Sequence, residues 1–190
     1  MRTVTAIIAA ALAALTPLWA AQPPSSDSIY KLDITLTDQS GAARALDSFE
    51  GEVVLVTMFY TSCPMACPLQ VDTLRAIEGS LSSAQREQIR VLMVSVDPER
   101  DTTKALADLA QKRRIDLKRW TLARAEPADV RLFASVLNIQ YRKLPDGEFN
   151  HTSVITLLNR KGEIVKQSSV LGRADAALVK SLQANLAARS

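Results

Sequence analysis

Val53-Val-Leu-Val-Thr-Met-Phe-Tyr60-Thr-Ser-Cys63-Pro-Met-Ala-Cys67-Pro68 decides how the rest of the chain is read. Its first half, through Tyr60, is a continuous β-branched and apolar run, the pattern of a central strand buried on both faces. Its second half ends in Cys67-Pro68. Proline lacks an amide hydrogen and is most comfortable in the first turn of a helix. A helix follows, since Leu69 to Leu81 carries Val71, Leu74, Ile77 and Leu81 at helical period. Both cysteines of the chain therefore lie in the turn between a buried strand and a helix N-terminus. There the helix dipole favours a thiolate, the form that exchanges disulfides and binds metals.

Outward from this segment the pattern alternates. Val91 to Val96 is a second buried strand ending at Asp97-Pro98, and Thr102 or Thr103 caps a helix through Ala105, Leu106, Leu109 and Ala110. Pro127 to Leu137 reads as a helix opening on proline. Thr152 to Leu158, the turn Asn159-Arg-Lys-Gly162 and Glu163 to Lys166 read as a β-hairpin, and Ala174 to Ala188 as a closing amphipathic helix. Before Val53, Ile29 to Thr37 alternates apolar and polar residues, and Asp38-Gln-Ser-Gly41 has turn chemistry. The expected order is a β-rich start, β, α, β, α, α, a β-hairpin and α. This is an α/β architecture with helices around a central mixed sheet.

The first twenty residues differ from the rest. Met1-Arg2 gives a short positive start, Val4 to Leu15 is almost wholly apolar, and Ala20 offers a small residue for cleavage, so residues 1–20 read as a secretory signal peptide. The apolar run is short of the roughly 20 residues of a spanning helix. Membrane attachment is expected only if the leader stays uncleaved. Residues 21–28, rich in Pro and Ser, read as a tether, and 29–190 as a single domain. With 23 basic and 20 acidic residues the chain carries +3, too little to indicate nucleic acid, and no aromatic-interleaved basic stripe supports that partner. The basic stretch Lys112, Arg113, Arg114, Lys118, Arg119 reads first as a solvated helix end and second as a docking surface.

Export gives the cysteine pair its meaning. In an oxidising compartment Cys63 and Cys67 close into a disulfide unless a reductant or a metal keeps them apart. Residues i and i+4 of a near-helical turn stand about 6 Å apart at Cα, within bridging reach. Such a small loop constrains little chain entropy, so chemistry explains the pair better than stabilisation does. Two thiolates suit Cu(I), and an added imidazole admits Cu(II). A closed zinc site wants a fourth ligand, and the chain has no third Cys and only one His, His151. A lone histidine is ordinarily a surface or satisfied core residue, but His151 stands at the mouth of the strand expected from Thr152. Met65 reads as a loop residue rather than a ligand. Asp97 either caps its turn or neighbours the site, and is not counted as a ligand.

Tyr60-Thr-Ser-Cys63-Pro-Met-Ala-Cys67-Pro68, then Val94-Ser-Val-Asp97-Pro-Glu-Arg-Asp101-Thr102, then His151-Thr-Ser153 and Asn159-Arg-Lys-Gly162, together resemble the Sco/SenC family from about Ile29 to Leu182. The resemblance implies a thioredoxin-like fold with an added N-terminal β-hairpin, and copper held by Cys63, Cys67 and His151. It further implies a periplasmic or otherwise exported copper metallochaperone that assists assembly of the binuclear copper centre of cytochrome c oxidase. The partner would be the copper-binding subunit of that oxidase or another copper-receiving protein. The family pattern has an acidic residue where Met65 stands. Its loss removes a negative charge, which bears on thiolate pKa, metal affinity and choice of client but leaves the ligand set intact. The alternative is a thiol–disulfide oxidoreductase in which Cys63 attacks and Cys67 resolves, or the reverse. A peroxidase of related fold comes third.

Overall fold

The computed structural model describes residues 27–63 and 66–188; the leader and most of the tether lie outside them. Nine strands and five helices follow in the order β1 Thr35–Asp38, β2 Ala43–Ala45, β3 Val53–Phe59, α1 Ala66–Gly79, α2 Ser83–Arg86, β4 Ile89–Ser95, α3 Thr103–Lys112, β5 Trp120–Arg124, α4 Pro127–Val136, β6 Tyr141–Lys143, β7 Phe149–His151, β8 Ile155–Leu158, β9 Ile164–Ser168 and α5 Ala176–Ala187. Seven strands form one mixed sheet in the order β2-β1-β5-β4-β3-β8-β9, and β6 and β7 form a separate hairpin.

The apolar run Val53–Phe59 is the centre of this sheet. All seven of its residues are buried, with β4 beside it in parallel and β8 antiparallel on the other side. A strand covered on both faces needs no polar alternation. Helices α1 and α5 pack on β3, while α3 packs on β5 and β1. Leu74 and Ile77 of α1, Leu106 of α3 and Leu178 and Leu182 of α5 are wholly buried. Thr102 caps α3 by accepting from the Ala105 amide at 3.2 Å, and Asp175 caps α5 through the Ala177 amide at 2.8 Å. Each satisfies an amide that the first helical turn leaves without a partner.

The added N-terminal hairpin is present as β1 and β2, paired Thr35↔Ala45 to Thr37↔Ala43, and β1 joins the sheet antiparallel to β5. Its start differs from the expected alternation. Ile29–Lys31 is a 3-10 turn, with Ile29 and Tyr30 buried. Ser28, read with the tether, is buried as well: its hydroxyl donates to the Lys161 carbonyl at 2.5 Å and accepts from the Tyr30 amide at 3.2 Å. Gly162 makes that docking possible. Its φ is +76°, and a Cβ there would overlap the Tyr30 ring.

Three strands escaped the sequence pattern. β5 is five residues of mixed burial between a basic stretch and a helix, too short to show a period. β6 and β7 are three residues each and form a hairpin before β8 that the sequence reading does not contain. β8 begins at Ile155 rather than Thr152, so His151 ends β7 instead of opening β8.

Candidate metal centre

Three elements bring the site together. β3 delivers Tyr60 and the turn to Cys63, whose amide donates to the Tyr60 carbonyl at 3.3 Å. α1 begins at Ala66 and carries Cys67 in its first turn. The β6–β7 hairpin carries His151, paired across to Tyr141, and the Thr152 amide donates to the Gln140 carbonyl at 2.8 Å. The sulfurs of Cys63 and Cys67 and a ring nitrogen of His151 lie within 4.8 Å of one another. Cys63 is half-buried and Cys67 buried, and the two are not joined in a disulfide.

Backbone amides point at both sulfurs. The Cys67 amide donates to Cys63 Sγ at 3.3 Å and the Tyr60 amide to Cys67 Sγ at 3.5 Å. These bonds and the helix dipole favour the thiolate, as the sequence suggests for both cysteines. For Cys67 burial outweighs them: desolvation, with smaller contributions from Cys63 and the carboxylate of Asp101, pushes its thiol well above the ordinary range. Cys67 is therefore a protonated thiol at neutral pH, and deprotonation accompanies any metal it takes up.

His151 is held in one tautomer. Its Nδ1 stands 3.3 Å from the Thr152 carbonyl, a contact that requires the proton on Nδ1 and leaves the Nε2 lone pair available. Nε2 is buried and has no hydrogen-bond partner among the described residues. Burial also pushes the imidazole pKa below its usual value, so the ring stays neutral. Tyr60 braces the imidazole edge-on, with ring centroids 5.8 Å apart. The Tyr60 hydroxyl donates to Glu148 Oε2 at 3.0 Å and lies 3.3 Å from the Phe149 carbonyl, tying the hairpin to the cysteine turn.

The Asp97-Pro-Glu-Arg-Asp101 loop clamps both halves. Asp101, 1% exposed, accepts from the Thr61 amide at 3.0 Å, the Thr61 hydroxyl at 2.5 Å and the Ser95 hydroxyl at 2.6 Å. It thereby fixes the turn that leads into Cys63. Arg100 pairs with Asp97, donates to the Gly147 carbonyl at 2.5 Å and covers the Phe149 ring at 5.9 Å, holding the histidine hairpin. Asp97 is thus one step removed from the site and Asp101 is its close neighbour. Tyr60, Thr61 and Ser95 stood in the quoted blocks with no role assigned to them, and Glu148 stood in none. Both Asp101 oxygens accept from donors, so Asp101→Asn turns an amide donor toward a donor. That change is expected to destabilise the reduced protein by about 1–3 kcal/mol in urea unfolding. An unchanged midpoint would contradict the clamp.

Fold and site define a thioredoxin-like protein with an imidazole set against its thiol pair. Residues 22–185 match the SCO1/SenC family model. A SCO1 protein homologue of Bacillus subtilis is 28% identical over 135 residues, 70% of this chain and 69% of that protein. The copper-bound structure of Bradyrhizobium japonicum ScoI is 26% identical with a TM-score of 0.64, covering 80% of this chain and 96% of that one. A SCO1/SenC family lipoprotein of Bacillus anthracis shares the fold at TM-score 0.73 and 20% identity, covering 89% and 100%. The chain spans less than half the length of the curated mitochondrial relatives it matches. This chain belongs to the SCO1/SenC family.

Proposed function

We propose that this protein carries copper, binding one ion through Cys63 Sγ, Cys67 Sγ and His151 Nε2, and passes it to a copper-receiving protein such as the copper-binding subunit of cytochrome c oxidase. One observation carries the reading: a buried imidazole nitrogen with a free lone pair and no hydrogen-bond partner among the described residues stands beside two thiols. A buried polar atom without a partner costs about 1–3 kcal/mol, a cost that coordination removes. Two sulfurs and one nitrogen match copper better than zinc or a hard cation. The leader reading places this work outside the cytoplasm, with residues 1–20 as signal peptide, 21–28 as tether and 29–190 as the copper-binding domain. No helix among the described residues is long and apolar enough to cross a membrane.

A second reading has its own support. Cys63 is the more accessible thiol and Cys67 is held protonated in the core, so a dithiol reductase would attack with Cys63 and resolve with Cys67. The two readings part at His151, which disulfide exchange does not need.

The imidazole adds a proton dependence of its own to copper binding, on top of the proton that Cys67 releases. Only the neutral ring is a ligand, and burial lowers its pKa. Protons therefore displace the imidazole below the ordinary value of about 6.5, not at it. Competitive Cu(II) titrations from acid to neutral pH are expected to lose the histidine contribution on the acid side of that value. A midpoint above it would contradict a buried imidazole ligand.

A further inference from the structure

Copper coordination leaves one feature beside the thiols unused. A cavity of about 360 Å³ opens against Cys63, walled by the apolar side chains of Val71, Met93 and Leu109 and by Lys112 and Arg113. His151 does not line it; that residue borders a different, polar cavity beside Arg142. The volume lies in the range that takes a small ligand or a large side chain. Arg75 of α1 donates to the carbonyls of Arg113 and Arg114, bringing a third cation beside that rim.

This charge is not spent internally. None of Arg75, Lys112 and Arg113 forms an ion pair among the described residues, and of the acids in α3 and the turn after it Asp108 pairs with Lys104 and Asp116 with Arg119. Basic residues at the last turn of α3 complement the helix dipole, which accounts for one or two cations there. It does not account for a cavity with apolar side chains in its wall between those cations and a half-buried thiol.

We propose that this cavity and its basic rim seat an acidic segment of the protein that exchanges copper with this one. An apolar side chain of the segment enters the cavity beside Cys63, and flanking carboxylates meet Lys112, Arg113 and Arg75. The proposal rests on the copper-carrier reading and adds the chemistry of the partner. Opposite charge at the rim steers and orients the encounter, and the apolar anchor supplies contact.

Peptide binding to the reduced, copper-free protein tests it. Three peptides carry the same dye: one with a central leucine between glutamates, one with glycine replacing that leucine, and one with lysines replacing the glutamates. Fluorescence anisotropy is expected to show binding of the first, weaker binding of the second and none of the third. The affinity of the first should fall as salt rises past the point where surface charges are screened. Lys112→Glu with Arg113→Glu should weaken it at least about tenfold while leaving copper stoichiometry and the Cu(II) spectrum unchanged. Equal binding of the acidic and basic peptides, or wild-type affinity in the double variant, would overturn the proposal. A wild-type protein that binds the acidic peptide but no copper would instead refute the copper reading alone.

Discussion

In a Cys63→Ser, Cys67→Ser double variant copper uptake is expected to collapse, with affinity falling by well over about 100-fold. Losing even a supporting residue of a metal site costs about 10–100-fold, and this variant removes both soft donors. A serine hydroxyl is too hard and too weakly acidic to replace a thiolate toward Cu(I). The fold should survive, because the cysteines form no bridge in this structure and the sheet core lies in β3, β4 and β8. Circular dichroism establishes folding, and titration against a chromophoric Cu(I) chelator reads affinity. The single variants should differ. Cys67 is buried and its sulfur accepts from the Tyr60 amide, so Cys67→Ser should also loosen the turn, whereas Cys63→Ser should remove a ligand with less effect on stability. Copper retained at wild-type affinity by the double variant would mean that the thiols are bystanders.

His151→Ala is expected to split the two oxidation states. Cu(I) accepts low coordination numbers and soft donors, so two thiolates retain part of its affinity. Cu(II) is harder and needs the imidazole nitrogen, so its affinity should drop by more than about 100-fold and its thiolate charge-transfer absorption should shift or vanish. Truncation also opens the space that the Tyr60 ring now braces. His151→Gln is the control that keeps bulk without the imidazole, and it should behave like His151→Ala toward Cu(II). An unchanged Cu(II) spectrum and affinity in both variants would reduce the centre to a dithiol and bring the oxidoreductase reading forward.

How much of this was legible in the sequence depends on the length of each signal. The runs Val53 to Tyr60 and Val91 to Val96 are long and apolar enough to declare buried strands, and the cap expected at Thr102 or Thr103 and the opening Pro127 marked helix starts, the first of them at Thr102. β5, β6 and β7 escaped because three to five residues hold too little pattern to outweigh their polar ends. They form because neighbours impose them: β5 between β4 and β1, and β7 against β6. The cysteine pair was legible in place but not in electrostatics. A helix N-terminus predicts a stabilised thiolate, yet the burial of Cys67 is a tertiary property that outweighs the dipole. His151 stood out as the only histidine. That it faces the thiols follows from the Arg100 and Tyr60 contacts that fold its hairpin inward, which no local pattern encodes.

X-ray absorption of the reduced protein loaded with one equivalent of copper tests the central claim most directly. The three-ligand site predicts two sulfur neighbours and one imidazole nitrogen, with the imidazole signature absent in His151→Ala. A copper shell of oxygen and nitrogen without sulfur, or one indistinguishable between wild type and His151→Ala, would contradict it.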